Sequence, residues 1–184
     1  IHNNGGQAIL TSKDHKTGTD RIYEALKKLD KKDADLVINL QGDEPLMKSD
    51  DIKNLNQKMI MSQSKIGTLA SNFLNKDLYE NQNVVKVKTS ESLQVSNFPE
   101  AINFMRNSKH SDENIYHHLG IYCYDIETLK NYVSIKQSSN EIKSKLEQLR
   151  ALDNNIKINV AQAKSSPIGL DTMEDYVAIK KIME

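Results

Sequence analysis

The chain has 184 residues, and its 25 Lys plus Arg balance its 25 Asp plus Glu, so its formal net charge at pH 7 is zero. Without a basic excess, neither a nucleic acid nor an anionic membrane surface is an expected partner. Hydrophobic residues make up 38% of the chain and charged residues 27% with balanced signs, which excludes the composition of a disordered protein. This length suits one domain with a real core, so we expect residues 1–184 to form a single folded domain.

Cysteine content and hydropathy indicate the compartment. Cys123 is the single cysteine, so an internal disulfide is excluded and a reducing compartment is favoured. The sequence has no run of about 18 apolar residues and no basic-apolar leader, so we expect a cytoplasmic protein without a membrane span. The chain begins with Ile1 rather than Met, and we interpret it as an N-terminally truncated protein.

Strand and helix patterns alternate along the chain, which is typical of an α/β domain. After the turn at Gly5-Gly6, residues 7–11 are predicted to form a short strand, and Thr17-Gly18-Thr19 is predicted to open a helix. Four apolar residues at helical spacing give that helix a side that faces the core: Ile22, Ala25, Leu26 and Leu29.

A compact apolar strand is predicted over residues 35–41, and a glycine and a proline end it at Gly42-Asp43-Glu44-Pro45. Ser49 is the expected N-cap of the next helix, with Asp50 and Asp51 at its positive end. The predicted buried side of this helix consists of Ile52, Leu55 and Met59.

The middle of the chain predicts strands separated by polar segments. Residues 66–70 form one expected strand. Residues 85–88 and 93–97 are expected to pair as a hairpin with one solvated face, because apolar residues alternate with lysines in the first of them. Residues 99–114 are polar, and we expect them to be irregular.

The last third predicts a strand at residues 118–124, a helix at 141–152 and a final strand at 156–161. Thr172 and Asp175 resemble a capping box for a helix at the end of the chain. Four residues are expected to face inward from the helix at 141–152: Ile142, Leu146, Leu149 and Leu152.

Two acids stand where α/β sheets bind ligands, beyond the carboxyl ends of strands and at helix N-termini. Asp43 follows the strand that ends at Gln41, and Asp171 lies between the last strand and the last helix. Either acid alone is well explained as a turn former or a helix cap. As a pair they suit a metal–nucleotide site, because Mg²⁺ takes one or two carboxylates and completes its shell with waters and phosphate oxygens.

Five short strings support the second interpretation of the acids. They occur in this order: Gly18-Thr19-Asp20-Arg21, Gln41-Gly42-Asp43-Glu44-Pro45, His118-Leu119-Gly120-Ile121-Tyr122, Leu146-Glu147-Gln148-Leu149-Arg150 and Gly169-Leu170-Asp171-Thr172. Together, from about Gly6 to the C-terminus, they resemble the 3-deoxy-manno-octulosonate (KDO) cytidylyltransferase family, the CMP-KDO synthetases. The second and fourth strings are fairly specific, whereas the first and last are weak on their own.

The resemblance implies a Rossmann-like nucleotide-diphospho-sugar transferase fold, with a mixed, mostly parallel sheet flanked by helices. It implies a nucleotidyltransferase that moves CMP from CTP to the anomeric hydroxyl of KDO or a close 2-keto-3-deoxy sugar acid and releases pyrophosphate, for lipopolysaccharide biosynthesis. Phosphoryl transfer depends on alignment and charge neutralisation, which agrees with a bridging cation. Family members are commonly homodimers, and we expect the same here.

The resemblance also implies roles for individual residues. Asp43 and Asp171 are the expected catalytic residues and the expected Mg²⁺ ligands, and Thr17 and Gly18 match the segment near the nucleotide. The expected substrate-binding residues are Gln41, Arg21, His118, Tyr122, Glu147 and Gln148.

The predicted strand at 118–124 leaves structural alternatives open. Strand alternation points His117 and His118 to opposite faces, so one can serve the site while the other is structural. Tyr122 shares the face of His118 and can reach the same pocket, although a buried tyrosine bonded to backbone explains it equally well. Cys123 faces the other way, and we expect it in the core.

Helical residues have structural alternatives as well. Arg21 lies in a first helical turn, where the helix dipole disfavours a cation, which weakly favours a ligand or salt-bridge role. Glu147 and Gln148 lie between the core positions Leu146 and Leu149, and an exposed helical face explains them better on composition alone.

The chain departs from the family pattern at two places. The family's first strand and its glycine-, arginine- and lysine-bearing nucleotide loop have no counterpart, and because that strand lies inside the family's sheet, we expect residues 1–184 alone to be poorly stable or inactive. The family carries a serine–arginine pair for the sugar acid where this chain has Asn97-Phe98-Pro99-Glu100, and Arg106 aligns only loosely with another family arginine. A lost guanidinium weakens capture of a carboxylate, so another sugar acid is an open alternative.

Two other function classes compete with the enzyme. A non-catalytic remnant or sugar-binding domain of the same fold would bind the sugar acid without releasing pyrophosphate from CTP. A phosphate-ester hydrolase using the same acids would release free phosphate without an acceptor sugar.

Overall fold

The structure, a computed structural model, describes residues 1–29, 34–108, 112–167, 169–170 and 172–184. The strands are β1 (Leu36–Asn39), β2 (Ile66–Ser71), β3 (Lys86–Thr89), β4 (Ala101–Met105), β5 (Ile115–Asp125) and β6 (Ile158–Gln162). The helices are α1 (Gly18–Lys28), α2 (Ser49–Ser62), α3 (Ile126–Ser134), α4 (Ser139–Ser144), α5 (Leu149–Asp153) and α6 (Met173–Met183), with short 3-10 turns at His2–Asn4 and Lys76–Tyr79.

The six strands form one mixed sheet in the order β4-β3-β5-β2-β6, and β1 pairs with the far end of β5. Strands β1, β2, β3 and β6 run in one direction, whereas β4 and the long β5 run against them. The sheet is therefore mixed, as predicted. Because β5 lies between strands of the other direction, β2–β6 is the one parallel pair in the described part of the chain. A mostly parallel sheet would contain more parallel pairs.

Helices cover both faces of the sheet, as predicted for an α/β domain. On one face, Leu129 and Tyr132 of α3 and Leu149 of α5 pack against the tyrosines of β5 in the larger apolar cluster. On the other face, Leu55 and Met59 of α2 pack against the smaller cluster. Cys123 is fully buried in this second cluster, which confirms its expected place in the core.

Residues 7–11 do not form the strand predicted for them. Leu10 is 92% exposed, and the segment lies along α1 instead of along a strand. Side chains of that helix hold it: Arg21 bonds the Thr11 hydroxyl and the Ser12 carbonyl, and Lys28 bonds the Leu10 carbonyl. The short apolar run at residues 8–10 was not sufficient because the segment has no strand beside it among the described residues.

The helices α1 and α2 begin close to their predicted starts, with two differences. On α1, Leu26 packs against the core as predicted and Tyr23 joins it, but Leu29 is exposed. On α2 the N-cap residue is Lys48 and Ser49 is the first helical residue, so the predicted serine cap is wrong.

The predicted hairpin between residues 85–88 and 93–97 is also wrong. Strand β3 pairs with β4, which lies within residues 99–114, the segment expected to be irregular. On this edge strand Ile102 and Asn103 are exposed whereas Ala101 and Phe104 are buried, so the segment lacks the regular apolar–polar alternation that predicts a strand. On β3, Lys86 is completely buried, so the expected solvated face is absent at that position.

The predicted helix at residues 141–152 is split in two. Lys145 adopts a left-handed conformation with φ of 52° and ends α4, and α5 starts at Leu149. Leu146 and Leu149 are buried as predicted, but Ile142 is 61% exposed, and Glu141 is the buried residue of α4 instead.

The remaining elements agree more closely with the sequence. Thr172 and Asp175 form the predicted capping box of α6. Helix α3 follows β5 directly, capped by Asp125, and the hydropathy pattern did not predict it. None of the helices in the described ranges combines the length and the apolar character that a membrane crossing requires.

Candidate active site

Two different strands pair with β5 along the same edge, one after the other. β1 pairs with residues 122–125 of β5 and β3 pairs with residues 115–117, so the backbone around Gly120 has no strand beside it on that side. The side chain of Glu44, from the loop after β1, fills the gap: the Gly120 amide donates to Glu44 Oε1 at 3.3 Å. A cavity of about 520 Å³ opens at this seam.

Most of the predicted site residues meet in this cavity. Thr17 lies instead in an adjoining recess of about 380 Å³ that it shares with Glu147. Asp171 lies outside the described residues. The predicted residues that line the main cavity are Gln41, Asp43, His118, Tyr122, Glu147 and Gln148.

The loop after β1 is joined by main-chain bonds to the segment before α6. The Leu170 amide donates to the Asp43 carbonyl at 2.8 Å, and the Glu44 amide donates to the Gln41 carbonyl at 3.2 Å, which closes the turn between them. Leu170 and Thr172 both line the cavity. The described residues on either side of position 171 therefore lie at the same cavity as Asp43.

His118 is held as a neutral ring inside the sheet. Its Nε2 lies 3.0 Å from the Thr68 hydroxyl, which in turn donates to the Ile121 carbonyl at 2.7 Å. Because the hydroxyl proton is used in that second bond, Nε2 carries the ring proton and donates to Thr68. Burial, with a smaller contribution from the charge of His117, lowers the pKa of His118 to about 3.

Tyr122 stands next to His118 on the same face, with ring centroids 5.5 Å apart, as strand alternation predicts. Burial raises the pKa of the Tyr122 phenol well above its ordinary value, so it stays protonated. The cavity wall here is uncharged at neutral pH, and it offers hydrogen bonds rather than charge.

His117 is a cavity residue that the sequence interpretation did not assign to the site. Its ring stacks on Phe73 at 6.1 Å, and its Nδ1 lies 3.3 Å from the Ser166 hydroxyl. Burial and the nearby Lys86 charge lower its pKa to about 4. Both His117 and His118 line the cavity. The alternative in which one histidine serves the site and the other is only structural is therefore not observed.

Glu147 and Gln148 reach the cavity because the chain breaks between α4 and α5. The Glu147 carbonyl accepts from the Tyr132 hydroxyl at 2.7 Å, which fixes the backbone. Gln148 is buried, so the exposed-face alternative is wrong for it. Burial raises the pKa of the Glu147 carboxyl, although the Thr19 and Thr17 hydroxyls act in the opposite direction.

One oxygen of the Glu147 carboxylate is open to a hydrogen bond from a ligand. Its Oε1 is buried and has no hydrogen-bond partner among the described residues. Leaving a buried acceptor unpaired costs about 1–3 kcal/mol, so such atoms concentrate at functional sites. A ligand hydroxyl that donates to Oε1 would remove this cost.

The comparisons with known proteins point to one family. A cytidylyltransferase family model matches residues 1–158. The 3-deoxy-manno-octulosonate cytidylyltransferase of Thermodesulfovibrio yellowstonii is 41% identical over 189 aligned residues, which cover 97% of this chain and 74% of that protein. The protein of the same name from Bartonella tribocorum is 39% identical, with the same coverage. The chain belongs to the 3-deoxy-manno-octulosonate cytidylyltransferase family.

Solved structures agree with this family. The cytidylyltransferase chain matches a CMP:2-keto-3-deoxy-manno-octonic acid synthetase complexed with CTP with a TM-score of 0.84 and 30% identity, over 100% of this chain and 74% of that chain. An apo UDP-glucose pyrophosphorylase matches with a TM-score of 0.68 but 13% identity, over 96% and 63%, which supports the fold alone. The resemblance inferred from the five short strings is confirmed.

Three predicted residues of the cytidylyltransferase, Arg21, Gly18 and Thr17, lie away from the main cavity. The Arg21 guanidinium binds the Thr11 hydroxyl at 2.7 Å and the Ser12 carbonyl at 2.8 Å. Gly18 opens α1 close to the Asn39 side chain. Thr17 caps α1 by accepting from the Asp20 amide at 3.3 Å. Their proposed contacts with ligands stay predictions.

Asp43 suits the expected Mg²⁺ of the cytidylyltransferase. The described residues contain no group of three or more His, Cys, Asp or Glu side chains that could enclose a metal ion. A nucleotide-bound Mg²⁺ needs only one or two carboxylates, because waters and phosphate oxygens complete its shell. Asp43 is exposed and lines the cavity, so its carboxylate fits that requirement.

Proposed function

We propose that this cytidylyltransferase transfers CMP from CTP to the anomeric hydroxyl of KDO, or of a close 2-keto-3-deoxy sugar acid, and releases pyrophosphate. The observation that carries the proposal is the convergence of Asp43 with Glu147 and Gln148 in one cavity, in a chain 41% identical to a KDO cytidylyltransferase. The family match favours this enzyme over a non-catalytic domain of the same fold.

The reaction forms one bond and breaks one. The anomeric oxygen of the sugar bonds to the α-phosphorus of CTP, the bond from that phosphorus to the pyrophosphate oxygen breaks, and the hydroxyl proton is lost to solvent. We propose that Asp43 and Asp171 hold Mg²⁺, which when bound neutralises phosphate charge. The remaining task of the protein is to hold the acceptor sugar in line.

The cavity wall is suited to hold a polyhydroxylated acceptor. Glu147 Oε1 is available to accept from a sugar hydroxyl, and the Gln148 amide beside it both donates and accepts. Tyr122 and the neutral His118 line the same cavity, and Gln41 precedes Asp43 in the turn after β1. These residues bind and orient the sugar; none of them needs to change its protonation state.

We also propose that the enzyme acts as a homodimer and that its product serves lipopolysaccharide biosynthesis, as the family resemblance implies. Light scattering of the purified chain tests the first part: a mass twice that of the chain supports it, and a monomer at micromolar concentration contradicts it.

Pyrophosphate release tests the proposed reaction. With CTP, Mg²⁺ and KDO, the chain supplied with the family's first strand and nucleotide loop should release pyrophosphate only when the sugar acid is present. Asp43→Asn should lower the rate about 100-fold or more, because it removes charge where phosphate charge develops. Asp50→Asn, on the exposed N-terminus of α2, is the matched control and should keep the rate.

Three outcomes would overturn the proposal. Full activity in Asp43→Asn removes that residue from the reaction. Free phosphate released without a sugar indicates a hydrolase. Calorimetric binding of the sugar acid without pyrophosphate release indicates a non-catalytic sugar-binding domain.

A further inference from the structure

Two cations at the cavity are bound to backbone carbonyls instead of carboxylates, and one of them, Arg106, lines the cavity. Lys86 on β3 is completely buried, and Arg106 follows directly after β4. Neither forms an ion pair with an acid within the described ranges. Surface cations are usually hydrated or paired with acids, so this arrangement indicates a structural task.

The Lys86 ammonium uses all three of its donors. It bonds the carbonyls of Asn81 at 2.6 Å, Val84 at 2.8 Å and Arg106 at 2.7 Å. Burial and the adjacent Arg106 charge lower the pKa of Lys86 to about 8. The ammonium thereby joins the turn at 81–84 to the end of β4.

The Arg106 guanidinium continues the chain of contacts to the end of α4. Its Nη1 donates to the Gln82 carbonyl at 3.0 Å, its Nη2 to the Lys145 carbonyl at 3.3 Å and its Nε to the Ser144 carbonyl at 3.4 Å. One nitrogen of the planar guanidinium therefore bonds the 81–84 turn, and the other two nitrogens bond the end of α4. A lysine side chain cannot reproduce this geometry.

The segments joined in this way both contribute to the cavity lining. Asn81, Asn83 and Val84 line one part, and Lys145 to Gln148 line the other. Lys145 is the left-handed residue that ends α4, so its carbonyl sets the direction in which the chain continues to Glu147.

We propose that Arg106, supported by Lys86, is a positioning residue that fixes Glu147 and Gln148 for the acceptor sugar by bonding the backbone of two segments that line the cavity. The proposal rests on the proposed function only in naming the sugar acid as the ligand. We call the bonds from Arg106 and Lys86 to these backbone segments the brace. Its existence can be tested on the backbone alone, without any reaction.

Hydrogen–deuterium exchange of the ligand-free chain is the first test. The amides of Leu146, Leu149 and Arg150 donate within the α4–α5 connection, so their exchange reports its opening. Arg106→Gln should raise their exchange rates about tenfold, the effect of losing hydrogen bonds to a charged group, and should leave α3 unchanged. Arg106→Lys should restore only part of the protection, and Lys143→Gln on α4 is the control that should change nothing.

Calorimetric titration with KDO is the second test. Arg106→Gln should raise the dissociation constant for the sugar acid about tenfold. In a chain that already carries Glu147→Gln, the same substitution should raise it less than twofold, because the two residues act through one contact. CTP affinity should stay within twofold of that of the unsubstituted chain.

Each contrary result has a distinct meaning. Weaker sugar binding with unchanged exchange in Arg106→Gln would show that the guanidinium contacts the sugar directly, which overturns the positioning role. Additive losses with Glu147→Gln overturn it as well. If the unsubstituted chain binds no sugar acid, the proposed function fails, and exchange alone decides whether the brace exists.

Discussion

The adjacent histidines of β5 are neutral because both rings are packed against protein instead of water. For a base, a pKa below the ordinary value means that the folded state resists protonation, so the unfolded state binds more protons between the two pKa values. Here those values are 6.5 for the unfolded chain and about 4 and about 3 for folded His117 and His118. Stability from this source is complete above pH 6.5 and is lost as pH falls toward 3.

We therefore predict acid destabilisation that depends on these rings. Between pH 7.5 and pH 5, each histidine should lower the free energy of unfolding by on the order of 2 kcal/mol. Urea unfolding at the two pH values measures it. His118→Gln should remove about half of the pH dependence, whereas His2→Gln at the exposed N-terminus should remove none. An unchanged pH dependence in His118→Gln would contradict the assignment.

Residue patterns predicted part of the site and missed the rest for physical reasons. Strand alternation placed His118 and Tyr122 on one face correctly. Nothing in the sequence gives the hydrogen-bond chain from His118 through Thr68 to the Ile121 carbonyl, because its members come from two strands. The sequence predicted no role for Arg106 beyond a loose alignment with a family arginine. Its partners are backbone carbonyls, which have no sequence signature.

At the scale of elements, helix α2 is joined to the segment after β6 by one buried side chain. Asp51 accepts from the Lys164 amide at 2.9 Å and from the Ser165 amide and hydroxyl at 3.2 and 2.5 Å. The sequence placed this acid at a helix N-terminus for its charge alone. The structure adds a second role, since the same carboxylate fixes the chain that leads to Ser166 at the cavity.

Asp51→Asn should lower the free energy of unfolding by about 2 kcal/mol, because it removes the charge from hydrogen bonds made by a buried carboxylate. Thermal and urea unfolding measure the loss, and amide exchange at residues 164–166 should rise in parallel. Asp50→Asn, one residue earlier and exposed, is the matched control and should change stability by less than about 0.5 kcal/mol. Equal effects of the two variants would refute the assigned role.

The α4–α5 break is stabilised by a buried ion pair. Arg150 donates to both Glu141 carboxylate oxygens, at 2.9 and 2.6 Å, and its guanidinium lies 4.8 Å from the Tyr132 ring centroid. Burial alone would raise the pKa of Glu141, but the hydrogen bonds from Arg150 and Gln137 prevail and lower it. Periodicity predicted one continuous helix here because a left-handed lysine at position 145 leaves no hydrophobic signature.

Glu141→Gln should lower the free energy of unfolding by about 3 kcal/mol, since it leaves the buried Arg150 charge with only the more distant Asp20 carboxylate, 3.8 Å from its Nη1. Glu127→Gln removes a surface ion pair with Lys130 and should cost less than about 1 kcal/mol. Urea unfolding at neutral pH distinguishes the two. A loss of similar size in both variants would contradict a special role for the buried pair.

At the scale of the whole molecule, the order of α/β elements was predictable, but strand pairing was not. The strands β1, β2, β5 and β6 lie near their predicted positions, whereas β4 was missed. No local pattern indicates that β5 runs against its neighbours or that β1 and β3 share one of its sides. The cavity arises from that shared side, so its existence depends on long-range pairing.

Glu44 closes the seam between β1 and β3, and its removal should affect the whole site. Glu44→Ala leaves the Gly120 amide without its acceptor, so we expect a loss of about 1–2 kcal/mol in unfolding free energy and weaker sugar-acid binding. Glu44→Gln keeps an acceptor and should lose less. Unfolding and calorimetry measured on both variants test the role, and identical behaviour of the two would contradict it.

The bond between the Leu170 amide and the Asp43 carbonyl joins the segment before α6 to the loop after β1. A nucleotide held against Asp43 would therefore also restrain the C-terminal helix. Bound CTP should protect that helix from proteases, and fraying of the C-terminus should impair catalysis while most of the sheet is still intact.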